Sequence, residues 1–198
     1  MLLLPEERGY IEQAVPKRAR EFAAGRLCAR AALAQFGFAV APIHVNSDGS
    51  PRWPAGMVGS ITHTEGFFGA AVAEQQHFLA LGLDAEIISR VIPDVWTQIC
   101  TPAELVWVDS LAEREKARAA AMIFAAKEAV YKCFYSMNSE WLDFHDVTIV
   151  PEQRNLEGTS YTIRALRRLQ LLDRDLQRFE GRFLFQDHIV LVGSAIRK

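Results

Sequence analysis

The sequence predicts an α+β fold of two similar lobes, each a helix packed on a small antiparallel sheet, related by pseudo-twofold symmetry. Helical and strand periodicities are both present in its 198 residues. The order helix, strands, long link, helix, strands occurs twice, around residues 11–88 and 103–196, and no regular βαβ series breaks it. Lobes of residues 1–100 and 101–198 follow. No residue-level repeat links the halves, so any duplication is one of topology.

From Ile11 to about Phe38, Ala19, Phe22, Ala23, Leu27 and Ala31 recur at three- and four-residue steps, and Gly37 marks the end of this helix. Asn46 to Gly59 reads as loop, punctuated by Asp48-Gly49-Ser50-Pro51, Pro54 and Gly56. Ser60 to Ala73 and Phe78 to Leu83 read as two strands joined by the polar turn Glu74-Gln75-Gln76. A second helix is expected from about Glu113 to Phe134. Strands follow at Phe144–Val150 and Tyr161–Leu166, with a final hairpin over Gly181–Ile196 that turns near Gln186-Asp187-His188.

Composition excludes several classes. Half of the residues are hydrophobic and 23% charged, which rules out disorder. A net charge of −2 gives no global pull toward nucleic acid or membrane. Residues 51–150, however, carry 13 acids against 7 bases, a balance that suits a bound cation as well as a solvated surface. Three cysteines without CxxC spacing argue against a disulfide framework and a zinc site, and fit a reducing compartment. No apolar run reaches the roughly 18 residues of a membrane span, and Met1-Leu2-Leu3-Leu4-Pro5 is too short for a signal core. A cytoplasmic protein is expected.

Four segments carry chemistry. In Gly82-Leu83-Asp84-Ala85-Glu86 the strand period puts Asp84 and Glu86 on one face. Two such carboxylates repel unless a cation lies between them, and hard oxygen donors suit Mg²⁺; taken alone, the pair reads equally as an exposed acidic strand end. In Ala126-Lys127-Glu128-Ala129-Val130-Tyr131-Lys132, Glu128 and Lys132 share a helical face. Most such pairs are surface salt bridges, but the apolar flanks here demand partners for the charges. In Gly59-Ser60-Ile61-Thr62-His63-Thr64 the hydroxyls and the imidazole make a phosphate-binding edge, or a structural His. Arg26 and Arg30 stand one helical turn apart, which calls for an anion between them or outward snorkelling, and Arg52 could add a third cation.

Taken together, Gly25-Arg-x-x-x-Arg30, Trp53-Pro-x-Gly-x-x-Gly-Ser-Ile-Thr-His63, Gly82-Leu-Asp-Ala-Glu86 and Ala126-Lys-Glu-Ala-Val-Tyr-Lys132 closely resemble the 4′-phosphopantetheinyl transferase superfamily. The likeness is greatest to its enterobactin-synthase type, related to the surfactin type, and covers residues 25–135. It implies transfer of the 4′-phosphopantetheine arm of coenzyme A to a serine of an apo acyl or peptidyl carrier protein, with release of adenosine 3′,5′-bisphosphate. It also implies an active site between the lobes. Asp84, Glu86 and Glu128 would hold Mg²⁺ on the pyrophosphate, while Thr62 and His63 would meet the 3′-phosphate. Arg26, Arg30 and Arg52 would line the nucleotide pocket of the first lobe. Lys127 and Lys132 would neutralise phosphate, with Lys132 on the leaving group. Glu128 is the base of choice and Glu104 the reserve. Ala85 departs from the pattern, since it offers the ion no side chain.

Two other readings share these residues: a Mg²⁺-dependent nucleotide phosphohydrolase, and a carrier-binding module without chemistry, which the intact acids and Lys132 oppose. A monomer without nucleic-acid or membrane partners is expected. The carrier served, whether of siderophore, polyketide, peptide or fatty-acid assembly, is left open. The basic tract Arg164–Arg178 could dock an acidic carrier or be a solvated helix face.

Overall fold

A computed structural model describes residues 3–139, 141–152, 156, 159–167 and 179–198; most of the basic tract, from 168 to 178, lies outside the described residues. A short 3-10 turn, Pro5–Ile11, precedes helix α1, Pro16–Ala34, which begins on proline at its first position. The chain leaves α1 through Gly37, whose φ of +81° favours a residue without Cβ. Ala29 and Leu33 of α1 bury against Ile43 and Met57.

The expected single strand Ser60–Ala73 is instead a hairpin, β1 (Met57–Thr64) and β2 (Phe67–Glu74), paired from Thr64↔Phe67 to Met57↔Glu74. Its tight turn is Glu65-Gly66, with Gly66 at φ +80°. Strand β3, Phe78–Ile87, does not join that ladder. It pairs antiparallel with β7, Ile189–Arg197, some hundred residues away, with Asp84 opposite Val192 and Glu86 opposite Val190.

Two short helices, α2 (Pro93–Ile99) and α3 (Pro102–Asp109), occupy what sequence reading leaves as a link. The start of α3 is a capping box: Thr101 Oγ1 accepts from Glu104 N, and Glu104 Oε2 accepts from Thr101 N at 2.6 Å. Helix α4 runs from Glu113 to Asn138 and stops where Ser139 turns left-handed. Beyond it come β4 (Val147–Pro151), β5 (Ser160–Ala165) and β6 (Phe179–Gln186), giving one five-stranded antiparallel sheet in the order β3-β7-β6-β5-β4.

The α+β class therefore holds, with two helix-on-sheet units: α1 on the β1–β2 hairpin, and α4 on the larger sheet, to which β3 of the first half also belongs. A row of alanines at 119, 120, 121, 125, 126 and 129, all fully buried, lets α4 lie close to that sheet. Phe134, Tyr161, Val190 and Ile196 fill the space around it, each buried large apolar side chain contributing about 1.5–3 kcal/mol. Among the described residues, no helix is long and apolar enough to cross a membrane.

Candidate active site at the crossing of α4 and β3

The position without a side chain at Gly82 sets the site. A Cβ there would lie 1.8 Å from the carbonyl oxygen of Ala129 and 3.0 Å from the Cys133 nitrogen. The backbone of α4 thus presses onto β3 at Gly82. Glu128 and Lys132 flank that contact on the helix, and Asp84 and Glu86 lie two and four residues along the same strand face. Lys132 Nζ donates to Asp84 Oδ1 at 2.6 Å and to the Leu83 carbonyl at 3.0 Å.

The three carboxylates feel one another's charge. Burial pushes Asp84, Glu86 and Glu128 above the usual carboxylate range, and the Asp84 charge adds to the rise at both glutamates. Lys132 offsets part of it at Asp84 and Glu128. Carboxylate oxygens are hard donors of the kind a divalent cation takes. The cage is not preformed: among the described residues, no group of three or more His, Cys, Asp or Glu stands in an arrangement that could hold a metal ion.

Three cavities surround this centre. One of about 510 Å³ is lined by Lys17, Arg20, His63, Glu86 and Arg90, and Arg18 Nη1 lies 3.4 Å from His63 Nε2 at its edge. The cations from the start of α1 share this cavity with Glu21, which lies 3.9 Å from Lys17 and 4.0 Å from His63; only the charge run Lys17-Arg18-x-Arg20 hints at them in the sequence. A second, of about 570 Å³, lies on the other side of Lys132 and includes Arg52, Trp53, Ser60 and Tyr135. The third, of about 280 Å³, opens beside Glu128 between Tyr131, Trp141, Leu142, Phe144 and Val147. Trp141 stands edge-on to Tyr131 at its rim, 69% exposed.

Other residues singled out by sequence are committed elsewhere. The anion that Arg26 and Arg30 call for is part of the chain: Arg30 Nη1 lies 2.7 Å from both oxygens of the fully buried Glu7. Arg26 is buried over the Phe22 ring and donates to the Ile43 carbonyl at 3.0 Å. Lys127 points into the core, where its three donors meet Glu104 Oε2, the Ile99 carbonyl and the Phe144 carbonyl at 2.6–2.8 Å. Glu104, the reserve base, is locked by Lys127, by Thr101 N and by Ile149 N at 2.6 Å. Thr62 is buried and turned toward Asp84, with its hydroxyl 3.2 Å from Oδ1.

Two family profiles match the chain. Residues 6–73 match the 4′-phosphopantetheinyl transferase N-terminal domain, and residues 80–183 match the 4′-phosphopantetheinyl transferase superfamily; the matches part at the turn between β2 and β3. Among curated relatives, the 4′-phosphopantetheinyl transferase Svp of Streptomyces mobaraensis is 36% identical over 98% of this chain and 79% of its own. The 4′-phosphopantetheinyl transferase PptT of Mycobacterium tuberculosis is 38% identical over 98% and 86%. Enterobactin synthase component D of Escherichia coli K12 is 34% identical over 67% of this chain and 62% of its own. Among solved structures, a holo-(acyl-carrier-protein) synthase from Bacillus anthracis, in complex with coenzyme A (3′,5′-ADP), aligns with TM-score 0.47 and 13% identity. That alignment covers 62% of this chain and 98% of that one.

Proposed function

This chain belongs to the 4′-phosphopantetheinyl transferase superfamily, and from that premise we propose that it moves the phosphopantetheine arm of coenzyme A onto a serine of an apo acyl or peptidyl carrier protein. The observation that carries this reading is the meeting of Asp84, Glu86, Glu128 and Lys132 across the Gly82–Ala129 contact. Acids and an ammonium from two distant segments are gathered where a diphosphate needs neutralisation.

In the reaction, the serine Oγ attacks the β-phosphorus of coenzyme A. The new O–P bond forms as the bond from that phosphorus to the bridging oxygen breaks, and adenosine 3′,5′-bisphosphate leaves with the electron pair. Glu128 takes the serine proton, directly or through water, when it is not held as a metal ligand. Lys132, now on Asp84, reaches the diphosphate edge and stabilises the leaving phosphate. Asp84, Glu86 and Glu128 would hold Mg²⁺, which when bound neutralises phosphate charge and orients the reactants.

The cavity of Lys17, Arg20, His63 and Arg90, with Arg18 at its edge, supplies cations for the nucleotide 3′-phosphate beside Glu21, Glu65 and Glu86. Arg52 supports the nucleotide from the cavity beyond Lys132. The apolar cavity at Glu128 suits the pantetheine arm. Three free thiols support a reducing compartment such as the cytoplasm.

The test is mass spectrometry of an apo-carrier protein incubated with the chain, coenzyme A and Mg²⁺. A gain of one phosphopantetheine on serine is expected. Unchanged mass across carriers of several pathways, or hydrolysis of coenzyme A without a carrier, would contradict the assignment.

A further inference from the structure

Strand β3 pairs with β7 along one edge from Ala80 to Ile87, with a register shift between Phe78 and Ala80. Its other edge faces β1, yet the β3 N–H groups of Leu83 and Ala85 that point there meet hydroxyls. Leu83 N donates to Ser60 Oγ at 3.0 Å and Ala85 N to Thr62 Oγ1 at 3.1 Å. Side chains thus splice the two sheets together, and both are buried, Ser60 at 6% and Thr62 at 3% exposure.

The two hydroxyls then differ. Because Thr62 Oγ1 accepts from Ala85 N, its single proton is left to donate, and its acceptor is Asp84 Oδ1 at 3.2 Å. Lys132 Nζ donates to that same oxygen. Both therefore donate to Oδ1, and the Ala85 N–H bears on the same carboxylate. A carboxylate clamped through one oxygen presents the other in a fixed direction, which is how outer partners orient metal ligands.

We infer that Thr62 is a positioning residue: its hydroxyl, anchored on the Ala85 N–H, holds the Asp84 carboxylate so that Oδ2 faces the cation, rather than contacting a phosphate of coenzyme A. The inference rests on the proposed Mg²⁺ role of Asp84. Ser60 supplies a built-in control, since it makes the same kind of splice to β3 without touching Asp84.

The experiment compares Thr62→Val, Thr62→Ser and Ser60→Ala with the unaltered chain. Mg²⁺ affinity is measured by calorimetry in the presence of coenzyme A, and binding of coenzyme A against 3′-dephospho-coenzyme A is measured without metal. Thr62→Val is expected to weaken Mg²⁺ by about 10–100-fold, Thr62→Ser to restore it, and the preference for the 3′-phosphate to stay unchanged. Ser60→Ala is expected to lower the melting temperature and to weaken Mg²⁺ far less than Thr62→Val does. Equal Mg²⁺ loss in Ser60→Ala would show a merely structural splice and overturn the inference, as would a lost 3′-phosphate preference in Thr62→Val. Thr62→Val with undiminished Mg²⁺ affinity would overturn it alone. An unaltered chain that binds no Mg²⁺ would overturn the metal reading with it.

Discussion

The carbonyl oxygen of Ala129 sits where a side chain on Gly82 would begin, 1.8 Å from the position of its Cβ. That contact fixes how far Glu128 and Lys132 stand from Asp84. Gly82→Ala must therefore push α4 off β3. A loss of about 1–3 kcal/mol in denaturant unfolding is expected, with turnover falling further than stability alone explains. A Gly82→Ala protein with normal turnover would show that the close crossing is not needed.

Glu128→Gln separates catalysis from stability. Removing the proposed base is expected to lower kcat by about 10²–10⁴-fold. The same change relieves a buried acid held above its usual range mainly by burial. The folded state binds the Glu128 proton more tightly than the unfolded one, so this group's contribution to stability falls as pH rises through the window between the two values. Above that window the ligand-free Glu128→Gln protein is expected to melt higher than the unaltered chain, a difference that shrinks on acidification. Calorimetric scans across pH check it.

Cations that look alike in sequence are expected to behave in opposite ways. Arg30→Met strands the buried Glu7 carboxylate and is expected to cost about 3–5 kcal/mol, with the KM for coenzyme A unchanged in the folded fraction. Arg18→Ala is expected to leave stability within about 0.5 kcal/mol and to raise KM for coenzyme A but not for its 3′-dephospho form. Unfolding curves and kinetics with both substrates distinguish them.

Thiol labelling reports the packing. Burial pushes Cys100 and Cys133 up to about 12, and both are enclosed, whereas Cys28 is partly exposed. Iodoacetamide at neutral pH is expected to modify Cys28 alone in the native chain and all three thiols after unfolding, read by peptide mass mapping.

The acids and the last lysine were legible because their chemistry is rare in apolar company. Asp84 and Glu86 end an apolar strand, and Glu128 and Lys132 interrupt the stretch Met122–Cys133, where Lys127 is the one other charge. Pairing was not legible. Nothing local tells that β3 bonds to β7, and the hairpin of β1 and β2 hides because Glu65-Gly66 is a two-residue turn inside an apolar run. Thr101-Pro102-Ala103-Glu104 is a capping signal that does announce α3. The destinations of Arg26, Arg30 and Lys127 depend on Ile43, Glu7 and Glu104, partners 17 to 23 residues away whose approach only folding decides.

The most direct measurement is anomalous diffraction from crystals grown with coenzyme A and Mn²⁺ in place of Mg²⁺. One ion in contact with the carboxylates of Asp84, Glu86 and Glu128 and with the diphosphate, with Lys132 moved from Asp84 to phosphate, is the predicted result. A diphosphate bound away from these acids, or an ion that leaves Glu128 untouched, would contradict it.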